Sequence, residues 1–280
     1  MDSPAVDEAE FRVLVSQDER HWWFRGRRRV INAQLDRLGL PGGCAVLDAG
    51  CGSGRTMDEL RRFGHVAGFD LNELGVAHAR ARGHDDVRVA RLEATPWPDE
   101  SFDLITCLDV LEHTPDDVVS LRELRRVARP GAALLVTVPA YQALWSSHDV
   151  ANHHYRRYRR PALLAAGREA GWEPVTWSYF NSILLAPAAA VRLAERLPRR
   201  RGERGRSHVE VTPPALDGLL ELPLRAEAAA VRRGVRLPVG MSLMAVFRRG
   251  NSPQPPREEP VKRAAGEVPA SDAASTLPTR

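Results

Sequence analysis

The sequence has 280 residues, of which 43% are hydrophobic, and a formal net charge of +4, so the chain can bury a full hydrophobic core. No stretch reaches the ~20 apolar residues of a membrane-spanning helix, and the acidic start "MDSPAVDEAE" lacks the apolar segment of a signal peptide. The three cysteines lack the spacing of a zinc site, so we expect a reduced, cytoplasmic protein without disulfides or a bound metal.

Apolar and amphipathic segments alternate along most of the chain. A helix is predicted over residues 8–38, and apolar runs predict strands at 44–50, 65–70, 87–93, 102 onward, 132–139, 172–180 and 240–249. Amphipathic or apolar runs predict helices at 56–64, 73–83, 118–131, 161–171, 181–197 and 214–234. This alternation predicts an α/β fold with a parallel sheet and right-handed crossovers.

The most informative motif is "VLDAGCGSGRT", where the first predicted strand meets the helix that follows it. Gly50, Gly52 and Gly54 permit positive φ angles and a close approach of the backbone to a ligand at the helix N-terminus. Asp70 ends the second strand, the position from which an acidic residue binds ribose hydroxyls in a nucleotide-binding βαβ unit. The motif therefore predicts a site for a ligand that contains a nucleoside.

The spacing of the glycines separates two families that use such a loop. A dinucleotide-binding fingerprint, G-x-G-x-x-G, would require a small residue where this chain has Arg55, which disfavours an NAD-linked oxidoreductase. The observed G-x-G-x-G resembles motif I of the class I S-adenosylmethionine-dependent methyltransferases. The stretches "LEATPWPDESFDLITCLDVLEH" (92–113) and "LRELRRVARPGAALLVTVP" (121–139) are similar to later parts of that family's domain, so that the resemblance covers residues 44–139. It implies a Rossmann-like fold with a mixed seven-stranded sheet, helices on both faces and an antiparallel last strand, and S-adenosylmethionine as the cofactor.

The resemblance also assigns residues to the cofactor. In order along the chain these residues are Asp48, Gly50, Gly52, Gly54, Asp70, Leu71, Glu93, Ala94 and Leu108. The glycines would hold the methionine portion, with Asp48 organising the loop, and Leu108 would lie near the sulfonium. Asp70 would bind the ribose, Leu71 would pack on the adenine, and Glu93 and Ala94 would reach its edge. Glu93 departs from the aspartate that is more usual in the family, and its side chain is longer.

The stretch "HWWFRGRRRVI", residues 21–31, combines aromatic residues with arginines before the first strand. In related methyltransferases a helix at this place closes over the cofactor, and a basic residue there can meet its carboxylate. Arg27 is the first candidate for that contact and Arg25 the second, because an arginine fork suits a carboxylate, and Trp22 and Trp23 would wall the substrate side. The alternative is that the aromatic residues only dock the helix on the sheet while the arginines are solvated. A nucleic-acid patch is disfavoured, because no recognised DNA- or RNA-binding module surrounds the stretch.

The acceptor is expected to bind in the segment after the fifth strand, "YQALWSSHDVANHHYRRYRR". This segment resembles that of a bacterial subgroup that also has the "HWWF" start and often lies among genes for glycan or lipid assembly. The candidates for a base or an orienting group are His148, His154 and Tyr158. Arg156 and Arg157 could hold an anionic acceptor, whereas His113 is expected to be mainly structural. The alternative for each of these residues is a solvated basic loop with structural histidines.

An apolar helix is predicted at "SILLAPAAAVRL", followed by a cluster of basic residues. The basic residues are Arg199, Arg200, Arg201, Arg204 and Arg206. Such a segment, 182–206, can dock on anionic lipid, or it can be a core or dimer-interface helix with an exposed loop, which we favour.

These observations predict a helical N-terminal lid over residues 1–40 and a methyltransferase domain over 41–249. Within that domain we expect an acceptor-side insertion at 140–160 and a helical insertion at 181–234, and we expect a disordered tail at 250–280. The predicted reaction is methylation of a small-molecule, sugar or lipid-linked acceptor, at oxygen, by a cytoplasmic enzyme that can also contact the inner membrane face. A non-catalytic S-adenosylmethionine-binding protein, an RNA methyltransferase and an NAD-linked oxidoreductase remain the alternatives, and the oligomeric state stays open.

Overall fold

The computed structural model describes residues 15, 18–19, 21–186 and 214–250, except for the side chains of residues 148 and 214–216. Seven strands form one sheet in the order β3-β2-β1-β4-β5-β7-β6. The strands are β1 (Cys44–Ala49), β2 (Gly64–Asp70), β3 (Val87–Val89), β4 (Phe102–Leu108), β5 (Ala128–Pro139), β6 (Trp172–Phe180) and β7 (Ser242–Arg249).

Strands β1 to β5 are parallel to their neighbours, whereas β7 is antiparallel to both β5 and β6. Because β7 reverses between them, β6 runs in the same direction as β5. The predicted mixed seven-stranded sheet with an antiparallel last strand is confirmed. The carboxyl ends of β1, β2, β4, β5 and β6 therefore meet at one edge of the sheet, where ligands bind in open α/β folds.

Helices cover both faces of the sheet. They are α1 (Trp22–Asp36), α2 (Arg55–Leu60), α3 (Glu73–Ala81), α4 (Asp117–Val127), α5 (Ser147–Ala151), α6 (Arg160–Glu169) and α7 (Pro214–Arg232), with 3-10 turns at Leu111–His113 and Gln142–Leu144. Neighbouring strand residues point to opposite faces, so Val46 packs with α1, α2, α3 and α7 while Leu47 packs with α4 and α6. The two hydrophobic clusters hold the strands in register and so position the loops at the carboxyl edge.

Helix α1 is bound to α7 through both shape and charge. A Cβ added at Gly26 would lie 2.3 Å from Leu224, so only glycine lets the two helices approach this closely. The carboxylate of Glu221, only 1% exposed, pairs with Arg25 at 2.9 Å and Arg29 at 2.6 Å. Burial alone would raise the pKa of Glu221, but hydrogen bonds from its arginine partners hold that pKa at about 2. The carboxylate is therefore ionised at neutral pH and contributes to the attachment of α1.

Several boundaries differ from the sequence predictions for local reasons. The helix predicted over 8–38 is interrupted, since the imidazole of His21 accepts a hydrogen bond from the backbone of Trp23 and caps a helix that begins at Trp22. The strand predicted at 87–93 ends at Val89. Of the apolar helix predicted at 181–197, residues 182–186 are helical and the rest, like the five arginines and the tail, lies outside the described residues. Across the part of the chain that is described, every helix is too short or too polar to cross a membrane.

Candidate active site

A cleft of about 610 Å³ lies at the carboxyl edge of the sheet, above the ends of β1, β2 and β4. The residues that line it include Gly50, Asp70, Leu71, Glu93, Asp109 and His113. Its position agrees with the general rule that ligands of α/β sheets bind where the strand order reverses, here between β1 and β4.

The glycine loop adopts the backbone conformation that the motif predicts. Gly50, Gly52 and Gly54 have φ angles of 76°, 51° and 79°, a region that glycine occupies at little cost. A Cβ on Gly50 would lie 2.3 Å from the side chain of Val110, and a Cβ on Gly54 would lie 2.9 Å from Ala79. Gly52 has no atom within 4 Å of its Cβ position. Gly50 and Gly54 therefore permit close packing of the loop, whereas among the described residues the space at the Cβ position of Gly52 is open. The backbone of Gly50 also lines the cleft.

Asp70 links the glycine loop to the next βα turn. One carboxylate oxygen accepts a hydrogen bond from the backbone of Gly52, and the other accepts one from the backbone of Asn72, both at 2.8 Å. Burial raises the pKa of Asp70, which the same two hydrogen bonds oppose. Leu71, 58% exposed, follows it along the wall of the cleft. The predicted ribose and adenine contacts of these two residues are compatible with this geometry and stay predictions.

Asp48 lies beneath the loop and is only 2% exposed. Its Oδ1 accepts a hydrogen bond of 2.7 Å from Thr106, while Oδ2 has no partner among the described residues. Desolvation raises the pKa of Asp48 to about 6, although the Thr106 hydrogen bond and the charge of Arg27 act in the opposite direction. A buried carboxylate oxygen without a partner is suited to a cationic group that arrives with a ligand.

Replacement of Asp48 with asparagine is expected to change the pH dependence of stability in the protein without cofactor. Because the folded pKa of about 6 lies above the ordinary value of 3.8, the folded state binds more protons between these values, and the wild type loses stability as pH rises through this range. The loss should amount to about 2–4 kcal/mol, and Asp48→Asn should lack it. Urea unfolding from pH 4 to 7 measures the difference, with Asp85→Asn, an exposed position, as the control. Parallel pH profiles of the wild type and Asp48→Asn would contradict the expectation.

Arg27 contacts Asp109, a residue that lines the cleft. Its Nη2 lies 2.7 Å from Oδ2 of Asp109, and Thr137 donates a hydrogen bond of 3.1 Å to Oδ1 of the same carboxylate. Asp109 directly follows β4 with a φ angle of 58°, an uncommon conformation for a residue other than glycine. The contact of Arg27 with a cofactor carboxylate stays a prediction. Arg25 pairs with Glu221, and its candidacy for the same role also stays a prediction.

Of the other predicted cofactor residues, one lines the cleft and two do not. Glu93 lines the cleft beside Leu92, with Arg91 at 3.7 Å from its carboxylate. Ala94 forms a bridge with Arg91 and is outside the lining, and Leu108 packs against the hydrophobic cluster under α1 rather than in the wall. Sequence analysis missed Asp109 and Val110, although their place directly after a parallel strand is a general signal of a ligand-contacting residue.

Three of the predicted acceptor-side groups are bound to carboxylates of the protein. Tyr158 is 3% exposed and donates a hydrogen bond of 2.9 Å to Asp117, and burial raises the pKa of its hydroxyl. This geometry favours a structural position for Tyr158, and its role as a base or orienting group stays a prediction. Arg157 binds the buried Asp149 at 2.7 Å, and Arg156 donates to backbone carbonyls and pairs with Asp117, so neither is available to an anionic acceptor. The backbone of His148 lies in α5, and its side chain lies outside the described residues.

The histidines His113 and His154 form the remaining polar group at the acceptor end of the cleft. Their rings meet edge to face with centroids 4.6 Å apart, and only His113 lines the cleft. Desolvation and the neighbouring His154 lower the pKa of His113 to about 4. His154 is 3.0 Å from Asp149, a carboxylate of 0% exposure that also accepts hydrogen bonds from Arg157 and Ser146. His113 thus lines the cleft, and the expectation that it is mainly structural stays a prediction.

The same cluster has atoms that can bind a metal ion. Glu112, His113 and His154 each offer one ligand atom, and these atoms lie within 4.8 Å of one another. Oε2 of Glu112 is buried without a partner among the described residues, and burial raises the pKa of this carboxyl well above its ordinary value. Such a set is compatible with a divalent cation, whereas the sequence predicted no metal site, and that expectation stays untested.

Comparison with known proteins shows that this chain is similar to methyltransferases. Residues 47–136 match the family model of a methyltransferase domain. Ubiquinone biosynthesis O-methyltransferases are 31% identical in Hahella chejuensis, over 58% of this chain and 79% of that protein, and 32% identical in Pseudomonas aeruginosa, over 60% and 84%. Among solved structures, a chain of the complex of the Haloferax volcanii Trm112 methyltransferase activator with a methyltransferase covers 88% of this chain and 97% of its own length, with a TM-score of 0.58 and 20% identity. At that identity the structural likeness shows the fold alone, whereas the two sequence relatives are similar over more than three quarters of their length.

Proposed function

We propose that this chain, which belongs to the class I S-adenosylmethionine-dependent methyltransferases, methylates an oxygen atom of a small-molecule, sugar or lipid-linked acceptor. The observation that carries the proposal is the position of His113, an imidazole among the residues that line the cleft. Desolvation lowers its pKa to about 4, so its ring is neutral at physiological pH. The names of the two sequence relatives, both O-methyltransferases, support the choice of oxygen.

The residues of the cleft fit the cofactor. Open space at Gly52 leaves room for its methionine portion, and the buried Oδ2 of Asp48 without a partner suits its ammonium group. Asp70 and Leu71 line the part of the cleft between β2 and α3, where a carboxylate and an apolar side chain suit a ribose and an adenine. S-adenosylmethionine, when bound, supplies an electrophilic methyl group on a sulfonium, so the protein has to position an acceptor and exclude water.

The ring of His113 has the properties of a proton acceptor for the acceptor hydroxyl. A hydrogen bond to the backbone of Asn152 assigns one ring nitrogen as the donor, so in the neutral ring the other nitrogen accepts a proton. The ring of His154 packs edge to face against this ring, and a hydrogen bond to Asp149 holds His154 in one orientation. In this proposal His113 takes the hydroxyl proton while Asp149 and His154 act as positioning residues.

Replacement of His113 with glutamine is expected to lower kcat by about 100-fold while the affinity for S-adenosylmethionine stays the same, because the variant loses a base and keeps the cofactor wall. The acidic limb of the wild-type pH profile should lie near pH 4, because His113 is protonated only below its lowered pKa of about 4. The measurement is transfer of an isotope-labelled methyl group to a panel of phenols, sugars and lipid-linked alcohols. Mass spectrometry then locates the methyl group on the product.

The matched control is His65→Gln, a histidine with a side chain 71% exposed outside the cleft. Cofactor binding without transfer to any acceptor would reject the enzymatic proposal in favour of a binding protein. Transfer to nitrogen or carbon alone would reject the choice of oxygen. Loss of activity with EDTA, and its recovery with Mg²⁺, would reject the metal-free role of His113 and assign it to a cation site instead.

A further inference from the structure

Two arginines lie against the ring of Trp177 on the edge strand β6, and neither has an acidic partner among the described residues. The guanidinium of Arg160 lies 4.5 Å from the centre of the indole ring, and that of Arg236 lies 5.9 Å from it. Trp177 is half-buried, whereas Arg159, Arg160 and Arg236 are exposed. Two guanidinium groups that share one aromatic ring repel each other, so the arrangement favours an anion between or beside them.

These three arginines differ from the arginines that precede them along the chain. Arg156 and Arg157 are neutralised by Asp117 and Asp149. In the described part of the chain, Arg159, Arg160 and Arg236 have no acidic side chain within ion-pair distance. Among the described residues, the positive charge at this end of the acceptor-side segment is therefore not neutralised by a carboxylate.

The register of the sheet places this group at the same edge as the cleft. Trp177 is opposite Ala245, which is opposite Val136 on β5, so Trp177 lies near the carboxyl end of its strand, on the same face of the sheet as Val136. The cleft is lined by Asp109, which directly follows β4. The strands β4 and β6 are separated by β5 and β7, a distance of about 14 Å for three strand spacings. An extended acceptor can thus reach from one place to the other.

Aromatic contacts connect the arginines to the start of the acceptor-side segment. Tyr141, two residues after the end of β5, stacks on Tyr179 with ring centres 5.3 Å apart and planes 9° apart. The hydroxyl of Tyr179 accepts a hydrogen bond of 3.2 Å from the backbone of Arg160. The exposed guanidinium groups therefore extend from a rigid aromatic base, which lowers the entropic cost of binding a ligand.

We propose that Arg160, Arg236 and Trp177, with Arg159 beside them, form a subsite for a phosphate or diphosphate group of the acceptor. This inference rests on the proposed function, because it names the chemical class of the acceptor for the same cleft. Guanidinium groups bind phosphate oxygens through paired hydrogen bonds, and the indole face keeps both guanidinium groups at the site before the ligand arrives. The acceptor is then a phosphorylated small molecule or a lipid with a phosphate headgroup.

The test compares the variant Arg160→Gln/Arg236→Gln with the control Arg168→Gln/Arg233→Gln. The control removes the same charge at exposed positions, one on α6 as in the test variant and one three residues before Arg236. Calorimetry with pyrophosphate should give a dissociation constant about 10-fold or more higher for the test variant than for the wild type, and an unchanged one for the control. Trp177→Leu should weaken binding to a smaller extent. Thermal unfolding of each variant checks that it is folded.

A second measurement distinguishes the two sources of phosphate. Co-sedimentation with phosphatidylglycerol vesicles, against phosphatidylcholine vesicles, detects a lipid headgroup, and pyrophosphate detects a soluble ligand. Loss of either signal in the test variant alone supports the subsite and identifies its source. If pyrophosphate and vesicles bind to neither the wild type nor the control, or to all variants equally, the inference is wrong even when methyl transfer is observed. Pyrophosphate binding that depends on the two arginines in a protein without methyl transfer would instead reject the proposed function and leave the subsite.

Discussion

Replacement of Asp70 with alanine is expected to weaken the binding of S-adenosylmethionine by about 100-fold, because the variant loses two roles of one carboxylate. The carboxylate accepts hydrogen bonds from the backbone of Gly52 and Asn72, and it lines the wall where the ribose is proposed to bind. Hydrogen bonds to a charged group contribute about 1.5–3 kcal/mol each, so loss of the ribose contact and partial disorder of the loop account for this magnitude. Calorimetric titration with S-adenosylmethionine and S-adenosylhomocysteine measures it.

Two variants separate the roles of the Asp70 carboxylate. Asp70→Asn keeps an oxygen that can accept one hydrogen bond but loses the charge, so its affinity should lie between those of the wild type and Asp70→Ala. Asp85→Ala, at an exposed position after α3, should bind like the wild type. An affinity of Asp70→Ala within a factor of about two of the wild type would show that the cofactor does not use this carboxylate.

Replacement of Asp149 with alanine is expected to lower the free energy of unfolding by about 3–5 kcal/mol, the largest effect on stability that we predict. The carboxylate has 0% exposure and accepts hydrogen bonds from Arg157, His154 and Ser146. Its removal leaves the guanidinium of Arg157, 7% exposed, without a counter-charge in a desolvated place. Denaturant unfolding followed by circular dichroism measures the loss.

The pH dependence of the Asp149 contribution has a definite sign. Burial alone would raise its pKa, but hydrogen bonds from His154 and Arg157 hold it below its ordinary value of 3.8. An acid with a lowered pKa in the folded state contributes stability above its unfolded pKa, and this contribution is lost as the pH falls below about 4. The wild type and Asp149→Ala should therefore differ most near pH 7 and converge in acid.

A second replacement tests whether the unpaired charge is the cause. The double variant Asp149→Ala/Arg157→Met removes both charges, so it should recover part of the stability that Asp149→Ala loses. Equal stability of the single and double variants would mean that the loss comes from the backbone around Ser146, not from the arginine. His154 should lose its orientation in both, which predicts lower kcat with unchanged affinity for S-adenosylmethionine.

Local patterns were sufficient for the features that depend on neighbours in sequence. The alternation of apolar strands and amphipathic helices predicted the parallel core, because each pattern repeats within one element. The glycine spacing predicted the positive φ angles of Gly50, Gly52 and Gly54, since these angles are a property of a single turn. The order of β6 and β7 came from the family resemblance, because no local signal states which strand inserts beside β5.

The acceptor-side residues show where sequence reasoning could not succeed. The segment over 140–160 contains three histidines, three tyrosines and four arginines, all of which look equally functional as residue types. Which of them is buried depends on partners more than 20 residues away, such as Asp117 for Tyr158. The place of His113 in the cleft lining could not be predicted for the same reason, since it depends on the turn after β4.

The sequence by itself determined the α/β class, the glycine loop, the acid that follows it on the second strand, and the resemblance to methyltransferases. Only the tertiary structure decided that Arg27 binds Asp109, that Arg25 binds Glu221, and that Arg160 and Arg236 meet over Trp177. The physical reason is that an arginine side chain is long and flexible, so its partner is chosen by the nearest carboxylate in space and the burial of both groups. The conformation of a backbone turn, in contrast, depends on the residues within the turn, so it can be predicted from the sequence.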